Sequence, residues 1–271
     1  MSVWRMNVVP TASIEAAVTA ADIGIAMGQR GTQVAREAAD LVLRDDAFST
    51  IIHAVREGRL IYTNIRRFST YLLSCNLSEI LIVGIAVMSG LPLPLLPLQI
   101  LFLNLVTDVF PAFALGTVEA DRNVLSRPPR PPSEPILARG QWIAIVVHGG
   151  VIALVTLLAL LAAVHELGLE GDAVTSMCFY TLALAQLWHV FNMRDAKAGW
   201  LVNPVTTNLF LWGALALSLA FFGLALAVPV LRDVLALSVP NAGEWLLAVG
   251  ASLVPLVVGQ VLIAFRRRRS G

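Results

Sequence analysis

The sequence predicts an all-α polytopic membrane protein, with six membrane-spanning helices that follow a small α/β segment. Three observations lead to this fold class. Of the 271 residues, 57% are hydrophobic and only 14% are charged, which is too apolar for an ordinary soluble domain. Six apolar segments each approach the ~20 residues that a helix needs to cross a bilayer. Basic residues gather in alternate connections between these segments, as they do in membrane proteins.

The chain begins with a more polar part, residues 1–65, which is too short to bury a core of its own. Within it, Asp22–Gly28 is predicted to be a short buried strand that ends in a glycine turn. Gln33–Ala39 is predicted to be a short helix, and Asp40–Leu43 a second strand. Ser49–Asn64 spaces its apolar residues as an amphipathic helix does. We therefore expect a fragment of an α/β unit followed by a helix.

The six predicted spans fill most of the remaining chain, and both cysteines lie inside them as expected buried, reduced thiols. Prolines make the connection after the first span tight and stiff. The Arg-Pro-Pro-Arg-Pro-Pro run indicates a polar, extended loop over Arg122–Arg139. The spans are predicted at Phe68–Ser89, Leu95–Leu115, Trp142–Val164, Ser176–Met193, Thr207–Val230 and Trp245–Phe265.

The positions of lysine and arginine predict the orientation in the membrane. Basic residues precede the first span, fill the connection after the second, and follow the fourth and the sixth. The connections of the opposite side hold Arg232 as their one basic residue, among several acidic ones. Both termini are therefore predicted to be cytoplasmic. The run Arg266–Arg269 is interpreted as a topology anchor or a contact with anionic lipids, and no nucleic-acid partner is expected.

Two short polar clusters interrupt the apolar segments, where a buried carboxylate costs a few kcal/mol. Asn76 and Glu79 are three residues apart, so they share one face of the first span. Asn104, Thr107 and Asp108 share one face of the second span. Because a short turn joins the two spans, the clusters can meet near mid-membrane. Their oxygen atoms suit a hard cation such as Ca²⁺, Mg²⁺ or Na⁺ and disfavour Zn²⁺ or Cu⁺.

Polar residues of the fourth span extend this pattern. Gln186 lies deep in the span, and the sequence leaves open whether it joins the cluster. His189 and Asn192 follow on the same face and are expected to make hydrogen bonds between helices near the cytoplasmic end. In the second span, Pro111 is expected to free a backbone carbonyl near Thr107, which is a recurring device of transporter ion sites.

Two alternatives compete with a cation site. Polar residues also stabilise the packing of membrane helices, and this interpretation accounts for Ser74, Ser78 and Thr181. It does not easily account for Glu79 together with Asp108. These two carboxylates could instead form a proton relay, but the neighbouring amides favour an ion.

The residues of both clusters resemble those of P-type cation ATPases of the calcium-pump type. Asn104–Asp108, followed by Pro111–Gly116, is similar to the sixth membrane helix of these pumps, and Ser74–Glu79 is similar to the fifth. The resemblance extends from residue 20 to about residue 265. Further similar segments are the cytoplasmic loop Asp121–Pro135 and, for the end of the phosphorylation domain and its stalk, Ala21–Gly28 and Asp45–Ile51.

The resemblance implies that the six spans are helices five to ten of the family. The stalk around Tyr62–Arg67 would carry motion from the phosphorylation domain to the ion site. The implied division of the chain is residues 1–19 outside the family, 20–65 for the end of the phosphorylation domain and the stalk, 66–118 for the first two membrane helices with the cation site, 119–140 for a cytoplasmic loop, and 141–271 for a four-helix membrane domain with a basic tail.

The resemblance also implies a set of ligands. Side chains at the positions of Asn76, Glu79, Thr107 and Asp108 ligate one ion in calcium pumps, where a carboxylate stands at the position of Gln186. Asn104 and Asp108 would serve a second ion, together with a fourth membrane helix that this sequence does not contain. Gln186 lowers the negative charge of the site, so the number of ions remains open.

Several motifs of the family do not occur in this sequence. They are the Asp-Lys-Thr-Gly-Thr phosphorylation motif, the nucleotide-binding domain and the Thr-Gly-Glu of the actuator domain. The Mg²⁺-holding Gly-Asp-Gly-x-Asn-Asp hinge is expected about Val9–Ile14, where Val-Pro-Thr-Ala-Ser-Ile stands. We therefore expect no catalytic residue here and no ATP hydrolysis by this chain alone; ATP and Mg²⁺ belong to the complete pumps.

The leading hypothesis is a C-terminal piece of a calcium-type P-type ATPase, as a truncated product or as one part of a split pump. It would lie in a bacterial-type plasma membrane or an equivalent membrane, with Ca²⁺ as the transported cation. Its expected partners are the lipid bilayer and either the missing N-terminal half or a full pump. The alternative is a non-enzymatic membrane subunit or regulator that kept the fold, and a passive channel is a weaker third.

Overall fold

The computed structural model describes residues 23–119, 124–126, 128, 130–131, 133–195, 198–199 and 201–269, except the side chains of Val124 and of residues 266–269. The predictions for residues 1–19, for Asp22 and for the arginine side chains of the tail lie outside the described residues, as does part of the predicted loop 122–139. The chain divides into two compact units, residues 1–59 with 123–126 and residues 60–122 with 127–271. Each unit is described by itself.

The first unit contains a two-stranded parallel sheet. Strands β1 (Ile25–Met27) and β2 (Leu41–Leu43) pair in register, and helix α1 (Gln33–Ala38) connects them. This order confirms the predicted strand, helix and strand. The expectation of a buried strand is wrong for most of β1, because among its residues only Ala26 is buried. Helix α1 contacts β1, and none of the residues of α1 is buried.

Two adjacent carboxylates fix the turns of this sheet. Asp46 accepts hydrogen bonds from the backbone N–H groups of Gln29 and Arg30, both at 2.9 Å. The Gln29 bond lowers the pKa of Asp46 most. Asp45 accepts a hydrogen bond from Thr50 Oγ1 at 2.6 Å, and this contact lowers the pKa of Asp45. Both carboxylates therefore stay ionised at neutral pH and hold the chain after β2.

Helix α2 (Phe48–Met88) is a single helix of 41 residues. The sequence predicts two helices here, an amphipathic one over Ser49–Asn64 and a span that starts at Phe68. The boundary between them does not exist, and no proline interrupts this stretch of the chain. The polar residues between the two predicted helices continue the α-helical backbone.

The other five predicted spans are also present, so the part of the chain that the structure describes has six helices that are long and apolar enough to cross a membrane. The fourth ends in a 3₁₀ turn, Val190–Met193, and a second 3₁₀ turn covers Val124–Ser126. The helices are α3 (Pro97–Leu103), a π-helix (Asn104–Val109) and α4 (Phe110–Gly116) for the second span, then α5 (Arg139–His165), α6 (Asp172–His189), α7 (Leu209–Ala227), the short α8 (Pro229–Val234) and α9 (Ala242–Arg269).

The fifth span is shorter than the predicted Thr207–Val230. The side chain of Asn208 accepts a hydrogen bond from Phe210 N at 2.9 Å, which caps α7 at its start. At the other end, Pro229 cannot continue the helical hydrogen bonds of α7 and begins α8 instead. Local capping and proline chemistry therefore set both ends of this span.

Helix α6 lies at the centre of the membrane part. In the most apolar 18-residue stretch of the fourth span, 89% of the residues are buried, whereas the same share is 28% in the fifth span and in the sixth. An aromatic group continues this core, with Phe179 stacked on Phe222 at 5.6 Å and Tyr180 stacked on Trp245 at 5.5 Å between ring centres. Because α6 is enclosed on all sides, polar side chains on it must find their partners inside the protein.

Asn192 confirms the expectation of a hydrogen bond between helices. Its Nδ2 donates to the carbonyl of Pro255 in α9 at 3.1 Å, and its Oδ1 accepts from Gln260 Nε2 at 2.9 Å. The same expectation is wrong for His189 in the described residues. Among these residues, its ring nitrogen Nδ1 contacts Asn192 of the same span at 3.3 Å. Its ring lies against Tyr71 of α2 and His148 of α5, with ring centres 5.8 and 4.7 Å apart.

Replacing Gly259 by Ala is expected to destabilise the protein by about 1–3 kcal/mol. A Cβ at this position would lie 2.3 Å from Asn192 Nδ2, so α9 could approach the end of the fourth span only if the amide moved. Thermal unfolding in detergent measures the effect. The matched control is Gly250→Ala on the same helix, where a Cβ meets nothing within 4 Å and the better helix propensity of alanine should leave stability equal or higher. Equal unfolding temperatures for the two variants would contradict the proposed close contact.

Candidate functional site

The polar residues of α2 and of the π-helix meet in the interior. Asn76 Nδ2 donates to Asp108 Oδ2 at 3.0 Å and to the carbonyl of Leu72 at 2.9 Å. Asp108 is only 6% exposed and Glu79 only 5%. The predicted meeting of the two clusters is therefore observed, with Asn76 as the direct link between the first and second spans.

The π-helix places the polar residues of the second span. Its wider turns free backbone carbonyls ahead of Pro111, which has no N–H to donate. Side chains satisfy these carbonyls: Tyr71 Oη donates to Thr107 O at 2.6 Å, and Ser218 Oγ donates to Val106 O at 2.7 Å. The predicted free carbonyl near Thr107 is thus present, and it is already hydrogen-bonded.

Gln186 of the fourth span joins the polar residues of the first two spans, which the sequence had left open. Its Oε1 accepts a hydrogen bond from Thr107 Oγ1 at 2.8 Å, and its Nε2 donates to Glu79 Oε1 at 3.0 Å. The residue is fully buried. One amide therefore joins the first, second and fourth spans, with its oxygen towards the hydroxyl and its nitrogen towards the carboxylate.

Two acceptor atoms of the predicted site residues lack a hydrogen-bond donor among the described residues. Asn104 Oδ1 and Asp108 Oδ1 are both buried, and neither has a partner among the described residues. The ion pairs found in the same part of the chain, Arg66–Glu134 and Arg67–Asp195, lie elsewhere. Buried acceptors and uncompensated carboxylates are costly, so the arrangement favours an added positive group.

The types of side chain around these atoms indicate which kind of ion the cluster could bind. Within the described residues no three His, Cys, Asp or Glu side chains gather at one point. The cluster instead combines two carboxylates with amide and hydroxyl oxygens, which are the ligands of hard cations. Cys75 and Cys178 are buried free thiols, as predicted.

Three small polar residues lie in the packed interior. Ser74, Ser78 and Thr181 are fully buried, and each hydroxyl donates to a carbonyl of its own helix. Sequence reasoning missed Tyr71, which contacts both Thr107 and the backbone carbonyl of Gln186, the latter at 3.2 Å. Its position eight residues before Glu79 places it on the same face of α2 and could have indicated the contact.

The match to a known family is broad. Residues 92–265 match the family described as "Cation transporting ATPase, C-terminus". The chain belongs to this family of cation-transporting ATPases. The matched region begins before α3 and includes the π-helix, Gln186 and all of the last four spans.

Curated relatives of this cation-transporting ATPase chain agree with the family. It is 42% identical over 248 residues to the calcium-transporting ATPase of Bacillus subtilis, covering 91% of this chain and 28% of the relative. It is 34% identical over 257 residues to calcium-transporting ATPase 1 of Bacillus cereus, covering 89% and 29%. It is also 50% identical over 127 residues to the P-type sodium-transporting ATPase4 of Toxoplasma gondii, covering 47% and 10%. The chain thus spans less than a third of the length of these relatives.

Proposed function

We propose that this chain is the C-terminal membrane part of a P-type ATPase that transports Ca²⁺ with ATP hydrolysis. The observation that carries the proposal is the buried pair of carboxylates, Glu79 and Asp108, beside acceptor oxygens that have no donor in the described residues. A bound cation would supply the missing positive charge. The proposed ligands are Asn76, Glu79, Asn104, Thr107, Asp108 and Gln186.

The charge and the ligand type favour calcium among the hard cations. Ca²⁺ takes about 6–8 oxygen ligands in flexible geometry, and two carboxylates balance its charge. Gln186 could contribute an oxygen ligand. Its Oε1 now lies next to Thr107, and a rotation of the amide would turn this oxygen towards an ion beside Glu79. Two of the relatives are named calcium-transporting, and the sodium-transporting relative covers a shorter part of this chain.

The proposal requires the remaining parts of a pump, which would come from outside this sequence. Helix α2 supports such a partner, because Phe48, Ile52 and Val55 form an apolar stripe in its first turns that is 70, 59 and 44% exposed. In strands β1 and β2, the buried residues are Ala26 and Leu43, and the other four are partly or fully exposed in the described part of their unit. A phosphorylation domain that extends this sheet would bury both, with both termini of the chain in the cytoplasm.

Assembly with the complementary half of a relative tests the proposal. The chain would be expressed together with the N-terminal part of the Bacillus subtilis calcium-transporting ATPase that it does not match. Membranes with both parts should form an acid-stable phosphoenzyme from ATP in the presence of Ca²⁺, and membranes with either part alone should not. A phosphoenzyme formed by this chain alone would contradict the proposal. Co-purification without phosphoenzyme would instead favour a non-enzymatic subunit.

A further inference from the structure

Two histidines of neighbouring helices lie against each other in the membrane part. His148 belongs to α5 and His189 to α6, and their ring centres are 4.7 Å apart with the ring planes tilted by 53°. His148 is 9% exposed and His189 is fully buried. Neither side chain is among the proposed ligands of the calcium ion. The pair is therefore a buried polar feature that the transport site does not use.

The distance between the two rings suits a single metal ion held by both. Two imidazoles on one tetrahedral zinc ion have ring centres about 5 Å apart, because each Zn–N bond is about 2.0–2.1 Å long. The observed separation of 4.7 Å is close to this value. A small movement of one ring would therefore admit an ion between the two side chains.

The nitrogens of His189 fit such a role. Nε2 is buried and has no partner among the described residues, whereas Nδ1 lies 3.3 Å from Asn192 Nδ2. A buried polar atom without a partner is costly, and a metal ion on Nε2 would remove this cost. The proton would then stand on Nδ1, where a rotation of the Asn192 amide would offer it an oxygen. In His148, one ring nitrogen can bind the ion while the other keeps a hydrogen bond, as is usual for metal-bound histidines.

A cavity of about 330 Å³ gives an ion access to the pair. Its lining residues extend from Tyr62 to Thr70 on α2 and from Gly140 to His148 on α5. Eight residues of helix correspond to about 12 Å. The cavity therefore follows both helices for about two turns, and His148 is the last residue of α5 that lines it.

Helices α2 and α5 run side by side in the same direction. Arg66 Nε donates to the carbonyl of Ile136, just before α5 begins, at 2.8 Å. Further along both helices, the carbonyl of Ser74 would lie 2.9 Å from a Cβ at Gly149. His148, next to Gly149, therefore lies at the inner end of the cavity, away from the start of α5.

The ligand atoms select a class of ion. Imidazole nitrogens suit divalent transition metals such as Zn²⁺, Ni²⁺ and Cu²⁺, whereas Ca²⁺ and Mg²⁺ take oxygen ligands. In the described part of the chain no three His, Cys, Asp or Glu side chains gather at one point. Water from the cavity would therefore complete the coordination, as it does in open metal sites.

We propose that His148 and His189 together bind a divalent transition-metal ion that enters through the cavity. The ion would join α5 to the fourth span beside Tyr71, whose ring centre lies 5.8 Å from that of His189. This binding needs neither ATP nor the transported cation. Its test is therefore separate from the test of the proposed function.

Zinc binding to the purified chain tests the site. The chain would carry no polyhistidine tag, and calorimetric titration with Zn²⁺ in detergent would include an excess of Ca²⁺ to compete for the oxygen ligands of the carboxylate cluster. We expect one zinc ion per chain. His148→Gln should weaken zinc binding at least about 100-fold, because even the loss of a group that supports a ligand costs about 10–100-fold. The matched control is His165→Gln, an exposed histidine at the end of the same helix, which should leave the affinity unchanged.

A spectroscopic gain separates loss of the metal site from loss of the fold. In His148→Cys, a thiolate would replace one imidazole, so Co²⁺ in place of zinc should give a sulfur-to-cobalt charge-transfer band. The native chain should lack this band although it contains Cys75 and Cys178, which are both buried free thiols. His165→Cys should lack it as well.

Three results would overturn the proposal. The first is an equal zinc affinity of the native and His148→Gln chains, or an equal loss in the His165→Gln control. The second is zinc binding that excess Ca²⁺ abolishes, which would place the zinc in the carboxylate cluster. The third is a charge-transfer band in the native chain, which would place the metal at a native cysteine, or no such band in His148→Cys.

Discussion

Replacing Asp108 by Asn is expected to abolish calcium-dependent phosphoenzyme formation in a pump assembled from this chain and its N-terminal complement. The substitution removes one of two buried carboxylates. It also places an amide where one oxygen accepts from Asn76 and the other has no donor in the described residues. Loss of one unit charge next to a divalent ion should weaken binding by at least about 100-fold. A calcium titration of phosphoenzyme levels measures this loss.

The control for this variant is a carboxylate of the same kind outside the cluster. Asp233 is exposed in α8, so Asp233→Asn should leave the calcium titration unchanged. A calcium response of Asp108→Asn equal to that of the control would remove Asp108 from the proposed ligands.

Replacing Gln186 by Glu is expected to destabilise the calcium-free protein and to increase the stabilisation that calcium provides. The new carboxylate would stand where Nε2 now donates to Glu79 Oε1 at 3.0 Å. Without a cation, the lost hydrogen bond and the repulsion should cost about 1–3 kcal/mol. With calcium, two adjacent carboxylates would bind the ion more tightly. Thermal unfolding of the assembled pump, with and without Ca²⁺, measures both effects.

A buried glutamine in another place provides the comparison. Gln99 is fully buried and donates to the carbonyl of Leu235 at 2.9 Å, away from the cluster. Gln99→Glu should also destabilise the protein, but calcium should not restore its stability. If calcium protects the Gln186→Glu variant no more than the Gln99→Glu variant, Gln186 is not near the ion.

The six spans and both polar clusters could be predicted from the sequence, because apolar length and charge are local properties. The continuity of helix α2 from Phe48 to Met88 could not be predicted in this way. The polar residues about Arg66 separate the two predicted helices, but Asn64 donates to the carbonyls of Gly116 and Val118, at 3.0 and 2.8 Å, and Arg66 pairs with Glu134. These contacts with distant residues satisfy the polar side chains on an unbroken helix.

The site itself was predictable only in part for a similar reason. Spacing on a helix places Asn76 with Glu79, and Thr107 with Asp108. The role of Gln186 depends on the burial of most of α6, which follows from the packing of all the spans and not from its own sequence. The π-helix depends equally on its partners, because Tyr71 and Ser218 supply the hydrogen bonds that its freed carbonyls need.

Equilibrium binding of radioactive calcium to the assembled pump tests the central claim most directly, since it needs neither ATP hydrolysis nor transport. The account predicts saturable binding to the complex that contains the native chain, and loss of that binding when the chain carries Asp108→Asn. Equal calcium binding by the native and Asp108→Asn complexes would contradict the claim that the buried carboxylate cluster holds the transported ion.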